Sequence, residues 1–223
     1  MLQSYPTKNG TGISIFGNFA ELNFLYDTIH HFAETLDETK NNIQKAQSNL
    51  LMNFAYEVRK ASYGNRLTEK FTYSGDNTEH TLYGFQLVWT DVLIFINVLR
   101  FNAGFNQSDK LQQAILYNLE YTVEASLFDY DSEGANHIKN YIGHGINITD
   151  EFAFIIYQAL HIKYVTMKSG KTRFRKIPHL LDGHFSSWKE EYKNIIASFR
   201  ISAKQQNCEV TDLGFSEFPE IVW

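Results

Sequence analysis

Residues 90–101 read Thr-Asp-Val-Leu-Ile-Phe-Ile-Asn-Val-Leu-Arg-Phe. Between Val92 and Phe101 only Asn97 and Arg100 are polar. A helix built from this stretch is apolar on nearly every side and has to be buried by its neighbours. It predicts the central helix of the fold and the first arm of a helical hairpin that ends near Tyr130. In the second arm, from Asp109, the residues Leu116, Leu119, Val123, Leu127 and Tyr130 recur at three- and four-residue steps, which places them on one face. Thr90 is the expected cap of the first arm, with Asp91 at its positive end. Residues 102–106 form the expected turn, and Ser108 the expected cap of the second arm.

The same apolar run has to be tested against a membrane. Residues 82–99 are strongly apolar but contain Gln86, Thr90, Asp91 and Asn97. A carboxylate at mid-bilayer costs about 2.5–3.5 kcal/mol even on the lenient insertion scale, so no membrane span is expected.

Upstream, the turn Asn9-Gly10-Thr11-Gly12 leads into a short strand at residues 13–16, placed at an edge of the sheet. A helix follows on Phe19, Leu22, Leu25, Tyr26, Ile29 and Phe32, with Asn18 as cap and Glu21 closing a capping box. Residues 37–48 are polar and read as an exposed connection. From Leu50 the residues Met52, Phe54, Tyr56 and Val58 alternate with Asn53, Ala55, Glu57 and Arg59, the pattern of a strand. Two more strands are expected at 67–73 and 81–89, with turn residues Ser74, Gly75, Asp76 and Asn77 between them. Downstream, helices are expected near 135–142, 150–167 and 187–206. The outcome is an α+β fold: a small N-terminal antiparallel sheet of three to four strands packed with a helix, then a mainly helical half on the central buried helix. Residues 1–207 form a single domain, strand-rich over 1–89 and helical over 90–207, and residues 208–223 form an acidic, aromatic tail.

Aromatics reach 15%, far from the composition of a disordered chain, and 223 residues can bury a sizeable core without disulfides or metal. A net charge of −5 gives no general attraction to nucleic acid or anionic lipid. The single cysteine, Cys208, cannot close an internal bridge, and the first ten residues carry no export signal. A cytoplasmic protein is expected.

The segment 129–134, Asp-Tyr-Asp-Ser-Glu-Gly, opens like a calcium loop, but the position that needs a bidentate Glu is Asn140. It reads as an acidic helix-to-helix turn. Between residues 163 and 176, Lys163, Lys168, Lys171, Arg173, Arg175 and Lys176 lie among Tyr164 and Phe174 with no acidic residue. Lys168, Lys171, Arg173, Arg175 and Lys176 form the candidate anion site, set against a plain solvated helix end. Ser169-Gly170-Lys171-Thr172 lacks the earlier glycine and the preceding strand of a phosphate-binding loop. Arg173 and His179 have a spacing reminiscent of helical HEPN ribonucleases, but Pro178 argues against one continuous helix. His179, Asp182 and His184 are too generic for a metal site. Glu120 or Glu124 is the expected partner of Arg100. In the tail, Phe215, Phe218 and Trp223 are candidate anchors for a partner, with the basic segment as one docking place. No catalytic or metal residue and no cofactor is assigned.

The stretch 6–13, the Tyr83-Gly84-Phe85 to Trp89 strand and the Leu116-Tyr117-Asn118-Leu119-Glu120-Tyr121 helix resemble a family of functionally uncharacterised bacterial proteins classed only as a domain of unknown function. The resemblance implies no activity and no site residues. The leading expectation is a non-enzymatic binding protein of the bacterial cytoplasm that engages a protein partner or a second copy of itself. The alternative is an enzyme acting on nucleic acid or a nucleotide through residues 163–176. A small-molecule sensor, drawn from the aromatics on the strand faces, is a third reading.

Overall fold

A computed structural model describes residues 1–72, 79–215 and 217–223. The expected turn at 74–77 lies outside the described residues. The chain is α+β. Strands β1 (Gln3–Pro6), β2 (Gly12–Gly17), β3 (Leu67–Thr72) and β4 (Glu79–Val88) form one antiparallel sheet in the order β1-β2-β4-β3. Two hairpins meet along β2 and β4, where Ile13 faces Leu87 and Phe16 faces Gly84. The ring of Phe16 lies across Gly84, where a Cβ would come within 2.4 Å of it.

Helices α1 (Phe19–Ala33) and α2 (Asn42–Ser62) fall between the hairpins, so strands and helices are less segregated along the chain than expected. Asn18 caps α1 with the full capping box to Glu21. Helix α3 (Trp89–Phe105) follows β4 directly and is the most deeply buried helix, with Val92 through Leu99 all inside. The apolar run 82–99 is therefore part strand and part helix. Among the described residues no helix is long and apolar enough to cross a membrane. Helix α4 (Lys110–Tyr130) packs Leu116, Leu119, Val123 and Leu127 inward, as its spacing predicts. Its Thr122 and Ser126 are buried beside β1, where Ser4 Oγ donates to the Thr122 carbonyl at 2.8 Å. Helices α5 (Ser132–Ile138), α6 (Ala153–Thr166), α7 (Lys171–Phe174), α8 (Ile177–Phe185) and α9 (Glu190–Gln206) complete the fold.

Several expectations are corrected. Residues 50–58 are not a strand but the middle of α2, and the polar connection ends at Asn41, whose side chain caps that helix. Ala46, Leu50, Leu51, Phe54, Ala55, Val58 and Ala61 are buried, a run of three- and four-residue steps. Met52 and Tyr56, counted inward on the alternating pattern, are 42% and 44% exposed. The strand at 13–16 is an inner one, because β1, which the sequence did not announce, takes the edge. Helix α3 begins at Trp89 with no side-chain cap, and Thr90 lies inside it. Asp109, not Ser108, caps α4, in a box with Gln112. Helices α7 and α8 stand where a loop was expected, with Pro178 in the first turn of α8, where its missing N–H costs nothing.

Candidate functional site

The sequence puts His161, Tyr157 and Phe154 at four- and three-residue steps of α6, so they share a side, and Asp91 lies in the first turn of α3. Their packing brings His161 Nδ1 to 2.6 Å from Asp91 Oδ2. Both residues are buried, at 8% and 4% exposure. Thr90 Oγ1 donates to the other oxygen of Asp91 at 3.2 Å. Burial by itself would lower the pKa of His161, but the charge of Asp91 and the bond to it outweigh burial and raise it above its ordinary value. The imidazole Nε2 makes no hydrogen bond among the described residues.

This pair forms part of the wall of a cleft of about 440 Å³ between α2, β4, α3, α6 and the tail. That volume lies within the range of roughly 300–1,000 Å³ usual for small-molecule sites. Asn53, Tyr56 and Glu57 come from α2, Gln86 from β4, and Phe95 from α3. Tyr157 stacks obliquely on Phe95, with ring centroids 5.4 Å apart. Burial, with the nearby charges of Asp91 and Glu57, pushes the Tyr157 phenol well above its ordinary pKa, so it stays protonated. Gln158 also faces the cleft, and its Oε1 is buried without a hydrogen-bond partner. Native proteins leave few buried acceptors unpaired. Among the described residues no serine, threonine, cysteine, lysine or arginine lines the cleft.

The tail closes one side. Phe218, Ile221 and Trp223 line the cleft, and the Phe218 ring meets His161 edge-on with centroids 5.7 Å apart. The tail is held by its backbone: Thr11 Oγ1 donates to the Val222 carbonyl at 2.5 Å, and Asn9 Nδ2 to the Trp223 carbonyl at 2.6 Å. Phe215 packs on Phe199 of α9, and Asp212 pairs with Lys45 at 2.8 Å. Among the described residues no ion pair joins the tail to residues 163–176. Docking on that segment is replaced by docking over the cleft, where Phe218 meets the His161 ring and Phe95, Phe154 and Tyr157 supply aromatic wall.

The candidate anion-binding residues are dispersed. Arg173 is buried, donating to the carbonyls of Tyr164 and Met167 and, at 2.7 Å, to Thr11 Oγ1. Its guanidinium lies over the Tyr164 ring at 4.7 Å. Arg175 grips Asp131 through Nε and Nη2 at 2.6 and 3.0 Å, and Lys171 reaches the same carboxylate at 3.4 Å. Those contacts, led by the Arg175 bond, hold the Asp131 carboxyl down at about 2. Lys168 and Lys176 stay exposed, with no acidic partner among the described residues. The acidic turn at 129–134 thus serves as the cap of α5 and the anchor of α7.

Glu120 is the partner of Arg100, through a bidentate pair at 2.6 and 2.7 Å. Asp182 pairs with Lys189 and bonds Ser186, and His184 is buried with Nδ1 on the Leu180 carbonyl. No group of three or more His, Cys, Asp or Glu that could hold a metal occurs among the described residues. The Asp91–His161 pair escaped the sequence reading because 70 residues separate its members. The one available signal was a carboxylate opening an otherwise apolar buried helix, a charge that needs a partner.

No curated protein and no solved structure matches the chain. A family model described as a domain of unknown function (DUF6904) matches residues 2–223, and the chain belongs to that family.

Proposed function

We propose that this protein works by binding a small molecule in the cleft beneath the tail, and that its role is recognition rather than catalysis. The observation that carries this reading is a buried Asp91–His161 pair opening on a cavity of small-molecule size, beside the unpaired acceptor of Gln158. A histidine oriented by a carboxylate serves nucleophilic catalysis when a hydroxyl or thiol lies within reach, and among the described residues the cleft lining contains no serine, threonine or cysteine. What remains is an imidazole held in one orientation, which suits a hydrogen bond to a ligand.

The expectation of a protein partner has less support at Trp223, which is half-buried at the cleft, than at Phe218, which meets His161 edge-on yet stays 48% exposed. The enzyme reading through residues 163–176 is left with Lys163, Lys168 and Lys176 as its unengaged cations. A cytoplasmic setting rests on the lone free thiol of Cys208, and a bacterial source on the sequence resemblance.

Trp223 provides the test. A chemically diverse fragment set is screened by tryptophan fluorescence, with Trp223→Phe as the control that removes the cleft signal. Ligands of the cleft are expected to change the emission of the native chain and not of the variant. If fragments of every class leave Trp223 unaffected, the binding reading fails.

A further inference from the structure

Building on the cleft as a ligand site, we infer that it takes an uncharged planar nitrogen heterocycle, a nucleobase or its nucleoside, in preference to a nucleotide, an amine or a carboxylate. Charge decides the first half. Glu57 is held by Arg66 through two bonds of 2.7 and 3.0 Å, and Asp91 is held by His161. Both of these carboxylates are therefore already engaged before a ligand arrives, and a cation would have to compete with those partners. Among the described residues no lysine or arginine lines the cleft; the cations Arg59, Lys60 and Arg66 lie over the exposed Tyr56 ring at 5.4–5.9 Å, at the rim, and an anion buried beyond their reach costs several kcal/mol.

Shape and hydrogen-bonding capacity decide the second half. Three carboxamides, Asn53, Gln86 and Gln158, face the cleft. A carboxamide presents a donor and an acceptor side by side in one plane, the arrangement that matches the edge of a base. The Oε1 of Gln158 is unpaired, and the amide of Gln86 makes only a 3.3 Å contact with Ser14 Oγ. His161 adds a nitrogen without a bond of its own. Aromatic rings come from two sources, Phe95 and Tyr157 from the helices and Phe218 and Trp223 from the tail. Flat bases stack on such rings, each contact contributing about 1–3 kcal/mol. Extruded bases are read by hydrogen bonds to their Watson–Crick edge and by stacking between aromatic or apolar side chains.

The test uses the full chain with adenosine, guanosine, cytidine and uridine, their 5′-monophosphates, tyramine and phenylacetate. Binding is followed by Trp223 fluorescence and calorimetric titration. At least one nucleoside is expected to bind, its monophosphate roughly tenfold or more weaker, and Gln158→Leu to lose roughly tenfold in affinity. Should Gln158→Leu fail to fold, Asn53→Ala, at an exposed position of the lining, tests a second of the three carboxamides and is expected to weaken nucleoside binding. Equal binding of nucleoside and monophosphate overturns the inference. So does binding of tyramine or phenylacetate without any nucleoside at millimolar concentration, although the cleft then survives as a site. Silence from all probes overturns the inference, and silence from the diverse fragment set as well overturns the site.

Discussion

At His161 and Asp91 a single contact determines both local stability and the chemistry of the cleft. Removing one member of a buried ion pair leaves the other charge uncompensated, at a cost of about 3–5 kcal/mol. His161→Ala is expected to destabilise the fold by that order in urea unfolding at pH 6, while the double variant with Asp91→Asn recovers part of the loss. The sign of the pH dependence follows from the raised pKa of His161. Its contribution is full below the ordinary histidine value and is lost as pH rises through the higher folded value. The stability difference between native chain and His161→Ala should therefore shrink on going from mildly acidic to alkaline pH. Asp131 behaves in the opposite sense. Its carboxyl is held at about 2, so its contribution is full above the ordinary aspartate value and is lost as pH falls toward 2. In an acid titration followed by circular dichroism, Asp131→Asn should remove stability at neutral pH and match the native chain at the acid end.

Helix α2 shows how an element is misread when two periods overlap. Residues 52, 54, 56 and 58 alternate with polar neighbours, yet Phe54 and Val58 also lie one helical turn apart and share that face with Leu51, Ala55 and Ala61. Length decides between the readings. The helical period runs for 21 residues, and residues such as Ala, Leu, Gln, Lys and Glu sustain it. Phe54, fully buried and stacked on Phe95 at 5.2 Å, should lose about 3–5 kcal/mol on Phe54→Ala. Met52→Ala should change unfolding by about 0.5 kcal/mol or less, since the side chain is 42% exposed. Equal losses at the two sites would contradict the helical placement. The central helix α3 was legible because it is apolar all round, which needs no period to interpret. Helix α7 was hidden because four residues hold no period, whereas α8 carries a stripe at Ile177, Leu180, Leu181 and Phe185 that is masked when Pro178 is read as a break rather than as a first-turn residue.

At the scale of the whole molecule, the tail joins the two ends of the described chain. Thr11 accepts from the buried Arg173 and donates to the carbonyl of Val222, so one hydroxyl couples the basic segment, the first hairpin and the tail. Deleting residues 217–223 is expected to leave the helical content of the chain intact and to open the cleft over His161. Hydrogen exchange should then report faster exchange in α6 around Tyr157–His161, with α4 unchanged. If α6 exchanges at the native rate, the tail does not cover the cleft in solution.

Local pattern was enough for the α+β class, the buried central helix, the inward face of α4, the capping box of α1 and the pairing of Arg100 with a glutamate one helix away. Each follows from local periodicity or from the cost of an unpaired charge, and both are written in neighbouring residues. The tertiary structure alone decided which strand lies at the edge, that Arg173 turns inward while Lys168 stays in water, and that Asp91 meets His161 under the tail. Those outcomes depend on contacts between residues from 66 positions apart, Gly17 with Tyr83, to more than 200, Asn9 with Trp223, and no local pattern records which distant surface a side chain will face.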